Sequence, residues 1–279
     1  MNLQKTIKLW LEEVKMTRAR KTHLCYYDCY RRISNIKELN YSLKEITNLD
    51  LQNILFNLNG YSKSTIHNTR IVLNRTMKYA VKNGYIKNNP ITQLELPRKA
   101  PIKLVEALTK FQQEKIEKIA ECDLLGYTVL FLLRTGLRIG ELFNLKWSDF
   151  DSKRNTIKIT ASKTKAGERE VPLSAGARFI IELCKRNNKI EYIFTNTKGK
   201  KLTYSSIQKT FTRIKKESGI KEFSPHICRH SFATRMIERG VDYKALSMLL
   251  GHKSVAFTLQ RYATADMDFL KSQIKLIDN

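Results

Sequence analysis

The sequence predicts a mainly α protein, with an N-terminal all-helical domain followed by an α+β domain that carries a small antiparallel β-sheet. Three observations lead there. Pro90, Pro97 and Pro101, three of the five prolines, fall within twelve residues; proline removes a backbone donor and pushes its predecessor into extended conformations, so this stretch predicts a linker. Upstream of it, apolar residues recur at helical spacing. Downstream, helical patterns surround a single pair of alternating segments. A chain of 279 residues, at about 150 per domain, accommodates two domains, expected at 1–89 and 104–279 with the linker over 90–103.

Taken in order, Ser42 with Glu45 three residues on has the form of a capping box. A long helix is expected from about Ser64, ended by Asn83-Gly84. At about 100° per residue, Ile66, Leu73, Met77 and Ala80 share one face of it, and His67, Asn68, Asn74, Arg75, Lys78 and Lys82 lie opposite. Asp123 to Arg134 is apolar nearly all round, which predicts a buried helix stopped by Gly136. NTIKIT (155–160) and REVPL flank a polar turn and predict a β-hairpin. Helical patterns resume around 175–188, 204–217, 226–239, 242–250 and 255–276.

Composition narrows the function. Fifty-one lysines and arginines against 26 acidic residues leave a net charge of +25, which calls for a polyanionic partner. Residues 1–100 carry +11 and residues 101–279 carry +14, so both domains are expected to touch it. An apolar content of 42% excludes a disordered basic tail. The longest mostly apolar stretch, Leu124 to Leu133, is far short of the ~20 residues a bilayer span needs. The N-terminus does not read as a signal peptide, so a cytoplasmic protein is expected. Cys25, Cys29, Cys122, Cys184 and Cys228 are odd in number and form no CxxC pair; reduced, mostly buried residues are expected.

Five stretches carry chemistry: TGLRIGEL, SKTKAGEREVPL, HICRHSFAT, LLGH and QRYA. In this order they resemble the tyrosine recombinase and phage-type integrase family, whose members break and rejoin DNA through a covalent phosphotyrosine. The resemblance spans the chain and implies a helical core DNA-binding domain before the linker and a catalytic domain after it. It implies Arg138 and Arg229 as the catalytic arginines, Lys163 as the hairpin lysine, and His226 as the first residue of HxxR. It further implies His252 in LGH, Tyr262 ten residues on as nucleophile, and Glu141 as the acidic residue supporting the site. Cys228 stands where leucine is common. The resemblance also implies a homotetramer on paired core sites of double-stranded DNA, with a directionality factor as a candidate partner. No arm-binding domain is expected before residue 5.

The reaction explains this residue set. A phosphodiester under attack gains charge on its nonbridging oxygens, which two fixed guanidiniums can grip without a metal. A phenol of pKa about 10 is a poor nucleophile at neutral pH and needs a base, for which His226 is the candidate. The departing 5′ oxygen needs an acid, for which Lys163 is the candidate with Lys165 as fallback. His252 would hydrogen-bond a phosphate oxygen. The phosphotyrosine conserves the energy of the bond it replaces, so neither ATP nor any other cofactor is required, and no GxxxxGK[ST] occurs.

Each residue also has a plainer account. Arg138 beside Glu141 fits an ordinary ion pair, and a charged stripe on a helix is ordinarily a solvated face. With that stripe, His67, Asn74, Arg75, Lys78 and Lys82 are the candidate DNA contacts. His226 and His230, four apart with Cys228 between, have the spacing of metal ligands. The sequence lacks the glutamate of HExxH and any further ligand cluster, so no metal is expected and His230 is expected to pack. A type IB topoisomerase would share the Tyr, Arg, Lys and His chemistry, and a DNA-binding regulator would share the charge but not the ordered set. Met267, Phe269, Leu270, Ile274, Leu276 and Ile277 predict a short amphipathic tail helix; its plainer account is docking on its own domain, while the resemblance implies that residues 268–279 dock in trans on a neighbouring subunit.

Overall fold

Polar side chains decide where most of the helices begin. Asn2, Thr47, Ser62, Thr109, Asp123, Thr203, Ser224 and Asp242 each accept a hydrogen bond from a backbone N–H of the turn they precede, satisfying donors that a helix start leaves orphaned. The structure is a computed structural model that describes residues 1–98, 101, 106–160, 167–187, 190–252 and 254–256. It divides into two units, Met1–Leu104 and Val105–Asn279.

The first unit holds α1 (Leu3–Thr17), α2 (Arg20–Ile33), α3 (Asn48–Phe56) and α4 (Lys63–Lys82). Leu3, Ile7 and Leu11 of α1, Ile33 of α2 and Leu51, Ile54 and Leu55 of α3 form its core with the inner face of α4. That face is the expected one: Ile66, Leu73, Met77 and Ala80 are buried, joined by Thr69, Val72 and Thr76. His67, Arg75, Lys78 and Lys82 are exposed and Asn68 and Asn74 half-buried. The helix stops at Asn83, followed by Gly84 with φ 72°.

Ser42 and Glu45 start no helix. Ser42 is held by a β-bridge to Asn2, and helix α3 begins instead at the Thr47/Asp50 box, where the Asp50 carboxylate accepts from the Thr47 N–H at 2.9 Å. A capping box needs a following segment that can bury a helical face, and here that segment begins five residues later. The proline-rich stretch is packed in its first half: Leu94 is buried in the first core, its carbonyl accepts from Arg70 at 3.1 Å, and Gln52 pairs with the backbone of Glu95.

The second unit is organised around α6 (Leu124–Thr135), which packs against α5 (Lys110–Ala120), α8 (Ala175–Asn187), α9 (Tyr204–Ser218) and α10 (Pro225–Glu238). Every residue from Thr128 to Leu133 of α6 is buried, as its all-round apolar sequence requires. Helix α5 was not expected: its apolar stripe is thin, with Ile116 and Ala120 alone fully buried. Between α6 and α8 lie the short α7 (Ile139–Leu142) and a three-stranded antiparallel sheet, β1 (Phe150–Asp151), β2 (Thr156–Ile159) and β3 (Arg169–Pro172), in the order β1-β2-β3. The expected hairpin is β2–β3, with Ile157 opposite Val171 and Ile159 opposite Arg169; β1, two residues long, is too short to show an alternation. Helix α11 (Tyr243–Leu250) follows α10. Of the helix expected over 255–276, residues 255 and 256 are described and helical; the rest of it, its trans docking and the expected turn over 161–166 lie outside the described residues.

Cys29, Cys184 and Cys228 are buried, Cys25 and Cys122 exposed, and all five are free thiols. Burial pushes the Cys184 thiol up to about 12 and raises that of Cys228 as well, leaving both unreactive at neutral pH. Among the described residues no helix is long and apolar enough to cross a membrane.

Candidate active site

The end of α6 sets the first arginine. Gly136 adopts the left-handed conformation, φ 63°, and a Cβ there would lie 2.4 Å from a ring carbon of Phe232, so both the turn and the packing require glycine. The reversal delivers Arg138 to the start of α7. Glu141, three residues on and therefore one turn above it, accepts from the Arg138 backbone N–H at 2.9 Å and from Nη1 at 2.8 Å. Glu141 is buried, whereas 43% of the Arg138 side chain stays exposed.

The second arginine comes from α10. Ser224 caps this helix and Pro225 occupies its first turn, which places His226, exposed, and Arg229, buried, three residues apart on neighbouring turns. Arg229 donates to the carbonyls of Gly136 at 2.9 Å and Leu250 at 2.7 Å. Cys228 and His230 turn inward with the core. Among the described residues no group of three or more His, Cys, Asp or Glu stands close enough to hold a metal ion.

The carboxyl end of α11 joins these pieces. Gly251, φ 63°, ends the helix in a left-handed cap and leaves the last carbonyls without helical partners. Arginines take them. Leu249 accepts from Arg169 Nε at 2.6 Å, Leu250 from both Arg138 (3.3 Å) and Arg229 (2.7 Å), and Gly251 from Arg138 Nη2 at 3.0 Å. The partial negative charge of a helix C-terminus offsets part of the repulsion among three guanidiniums. His252 leaves this turn half-buried, its N–H bonded to Ser247 O at 3.0 Å. Arg138, Glu141, Arg229 and the backbone of His252 are thus drawn to one place.

Arg169 is the residue that the sequence reading passed over. Its Nη1 and Nη2 reach the two Glu141 oxygens at 3.2 and 3.0 Å, and 8% of its side chain is exposed. Burial alone pushes the Glu141 carboxyl up, but the Arg169 guanidinium and then Arg138 outweigh it and hold the carboxyl below its ordinary value. A signal did exist. Arg169 lies two residues before the buried Val171 and so on the same inward face of β3, where a charge requires a partner.

Lys163, Lys165 and Tyr262 lie outside the described residues. His67, Asn74, Arg75, Lys78 and Lys82 belong to the first unit, all on α4.

Residues 101–268 match the phage integrase family. The chain is 30% identical to the XerC-like tyrosine recombinase of Caldanaerobacter subterraneus subsp. tengcongensis, an alignment covering 91% of this chain and 76% of that protein. It is 28% identical to the transposase of transposon Tn916 from Enterococcus faecalis, over 79% of this chain and 63% of the transposase. In fold it is similar to the Tn1549 transposon integrase in complex with a circular intermediate DNA, with a TM-score of 0.81 and 21% identity over 99% of each chain.

Proposed function

The chain belongs to the phage integrase family of tyrosine recombinases, and from that membership we propose how its residues perform site-specific DNA breakage and rejoining. Tyr262 Oη attacks a phosphorus of the DNA backbone, forming a 3′-phosphotyrosine and expelling the 5′ oxygen. His226 takes the phenolic proton, and Lys163 gives one to the leaving oxygen. Arg138 and Arg229 hold the nonbridging oxygens as charge develops, Glu141 keeps Arg138 in place, and His252 hydrogen-bonds the phosphate. Reversal with a strand from a second duplex yields a Holliday junction, and a second round resolves it. No metal ion or ATP enters any of these steps.

One observation carries this reading: Arg138 and Arg229, from segments far apart in sequence, donate to the same Leu250 carbonyl two residues before His252. Two guanidiniums bridged by one acceptor suit a tetrahedral or pentacovalent phosphate better than two independent ion pairs would. The first unit, with the polar face of α4, is assigned to duplex DNA and the second unit to catalysis, in a tetramer on paired core sites in the cytoplasm. The Tn916 transposase among its relatives and the wording of TGLRIGEL and SKTKAGEREVPL favour integration or excision of a mobile element. The XerC-like relative supports chromosome-dimer resolution as the second reading. A directionality factor is the candidate accessory protein.

Tyr262→Phe tests the chemistry. The variant should bind its site normally and form no covalent adduct on a denaturing gel; adduct at the unaltered protein's yield would move the nucleophile elsewhere. Supercoiled plasmid with and without paired target sites separates the remaining classes. Recombination only with sites is expected, whereas relaxation of any plasmid would indicate a topoisomerase and binding without breakage a regulator.

A further inference from the structure

Arg169 is bound on three sides, by the backbone of Gly167, by the Glu141 carboxylate and by the carboxyl end of α11. Its Nη1 donates to Gly167 O at 2.8 Å, four residues along the chain from position 163. Both Nη atoms reach the Glu141 carboxylate behind Arg138. Its Nε donates to Leu249 O, one residue before the carbonyl shared by Arg138 and Arg229. A buried pair that served only the fold would have no reason to touch all three. A planar guanidinium can span these acceptors at once, which a lysine ammonium cannot. The fit is close, since a Cβ on Gly251 would come within 2.8 Å of Arg169 Nη1.

We propose that Arg169 is a positioning residue of the recombination reaction: it fastens the return strand of the hairpin and the carboxyl end of α11 to Glu141, so that Glu141 holds Arg138 in register with Arg229. The inference rests on the recombinase reading above. Among the described residues the charged groups facing Glu141 are Arg138, from the turn before α7, and Arg169, from β3; α11 contributes backbone carbonyls to both arginines. Without Arg169 the carboxyl stays buried but loses its larger partner, and it takes up a proton at higher pH.

The test is single-turnover cleavage of a duplex carrying the mapped cleavage site, at saturating protein and across acid to neutral pH. Arg169→Gln should bind this duplex with unchanged affinity, cleave about 10²-fold more slowly at neutral pH, and show its acid limb at higher pH than the unaltered protein. Arg169→Lys keeps the charge but not the fork, so its acid limb should stay in place while its rate remains reduced. Arg169→Gln with an unaltered rate, or with a reduced rate but an unmoved acid limb, overturns the role. If Arg169→Gln does not fold, Arg169→Lys decides, and an unaltered rate for it overturns the proposal. Failure of the unaltered protein to cleave at all would instead overturn the recombinase reading, and this inference with it.

Discussion

The outer face of α4 and the carboxyl end of α11 both collect positive charge, and they hold it in opposite ways. On α4, Arg75, Lys78 and Lys82 are exposed, and Lys82 reaches its acidic neighbour Glu13 at 3.8 Å with both side chains well solvated. Around α11, Arg169 meets Glu141 at 3.0 Å with 8% and 4% of the side chains exposed, and carbonyls at a helix end take up most of the remaining donors. Water screens the first set, so its side chains are free to adjust, which suits the diffuse phosphate attraction proposed for this face. In the second, Arg169, Glu141 and Arg229 are desolvated and hydrogen-bonded on several sides, so they act as geometry. The difference teaches that positive charge is held in two ways in this chain: one suits the binding proposed for α4, which tolerates mobility, and the other the transition-state stabilisation proposed for the arginines at α11, which does not.

Breaking the buried set should have the largest effect. Glu141→Ala leaves Arg169 buried without its counter-charge and should lower stability by about 3–5 kcal/mol, read as a shifted denaturant midpoint, whereas Lys82→Ala should leave the midpoint in place. Acid is a gentler form of the same perturbation. Glu141 binds its proton less tightly folded than unfolded, so its contribution is complete above the ordinary carboxylate value of about 4.3 and is lost as pH falls through the lower folded value. Glu141→Gln should flatten that part of the acid-unfolding curve, and an unchanged curve would show that the pair does not govern it.

Next come Arg138 and Arg229, the arginines proposed to hold the phosphate. Arg138→Ala and Arg229→Ala should each slow cleavage by about 10²–10³, or about 3–4 kcal/mol of transition-state stabilisation, with far smaller changes in affinity. If affinity falls in step with rate, these are phosphate contacts like those of α4 and the contrast dissolves. The smallest effect belongs to α4 itself. Arg75→Ala and Lys78→Ala should each reduce the slope of log affinity against log salt by about one and leave the single-turnover rate at saturating DNA unchanged. A slower rate at saturation would give the helix a catalytic part.

Short-range order is what the sequence by itself determined. The apolar faces of α4 and α6, the β2–β3 alternation and the glycines at 84 and 136 follow from spacing along a few turns, where side chain and backbone meet locally. The motifs likewise single out Arg138, Glu141 and Arg229, which the structure joins at the carboxyl end of α11 beside His252. Where local signals were thin or ambiguous the pattern failed. Ser42 and Glu45 have the letters of a cap, but a bridge to Asn2 holds the chain extended there; α5 buries too narrow a stripe to stand out; β1 is too short to alternate. Tertiary structure alone decided that Arg138, 112 residues away along the chain, would share the Leu250 carbonyl with Arg229, and that the carboxylate awaiting the inward-facing Arg169 would be Glu141. A buried charge announces in sequence that it needs a partner. Which partner depends on how β3, α7 and α11 pack, because the energy of that pair depends on distance and desolvation, and neither exists until the elements have come together.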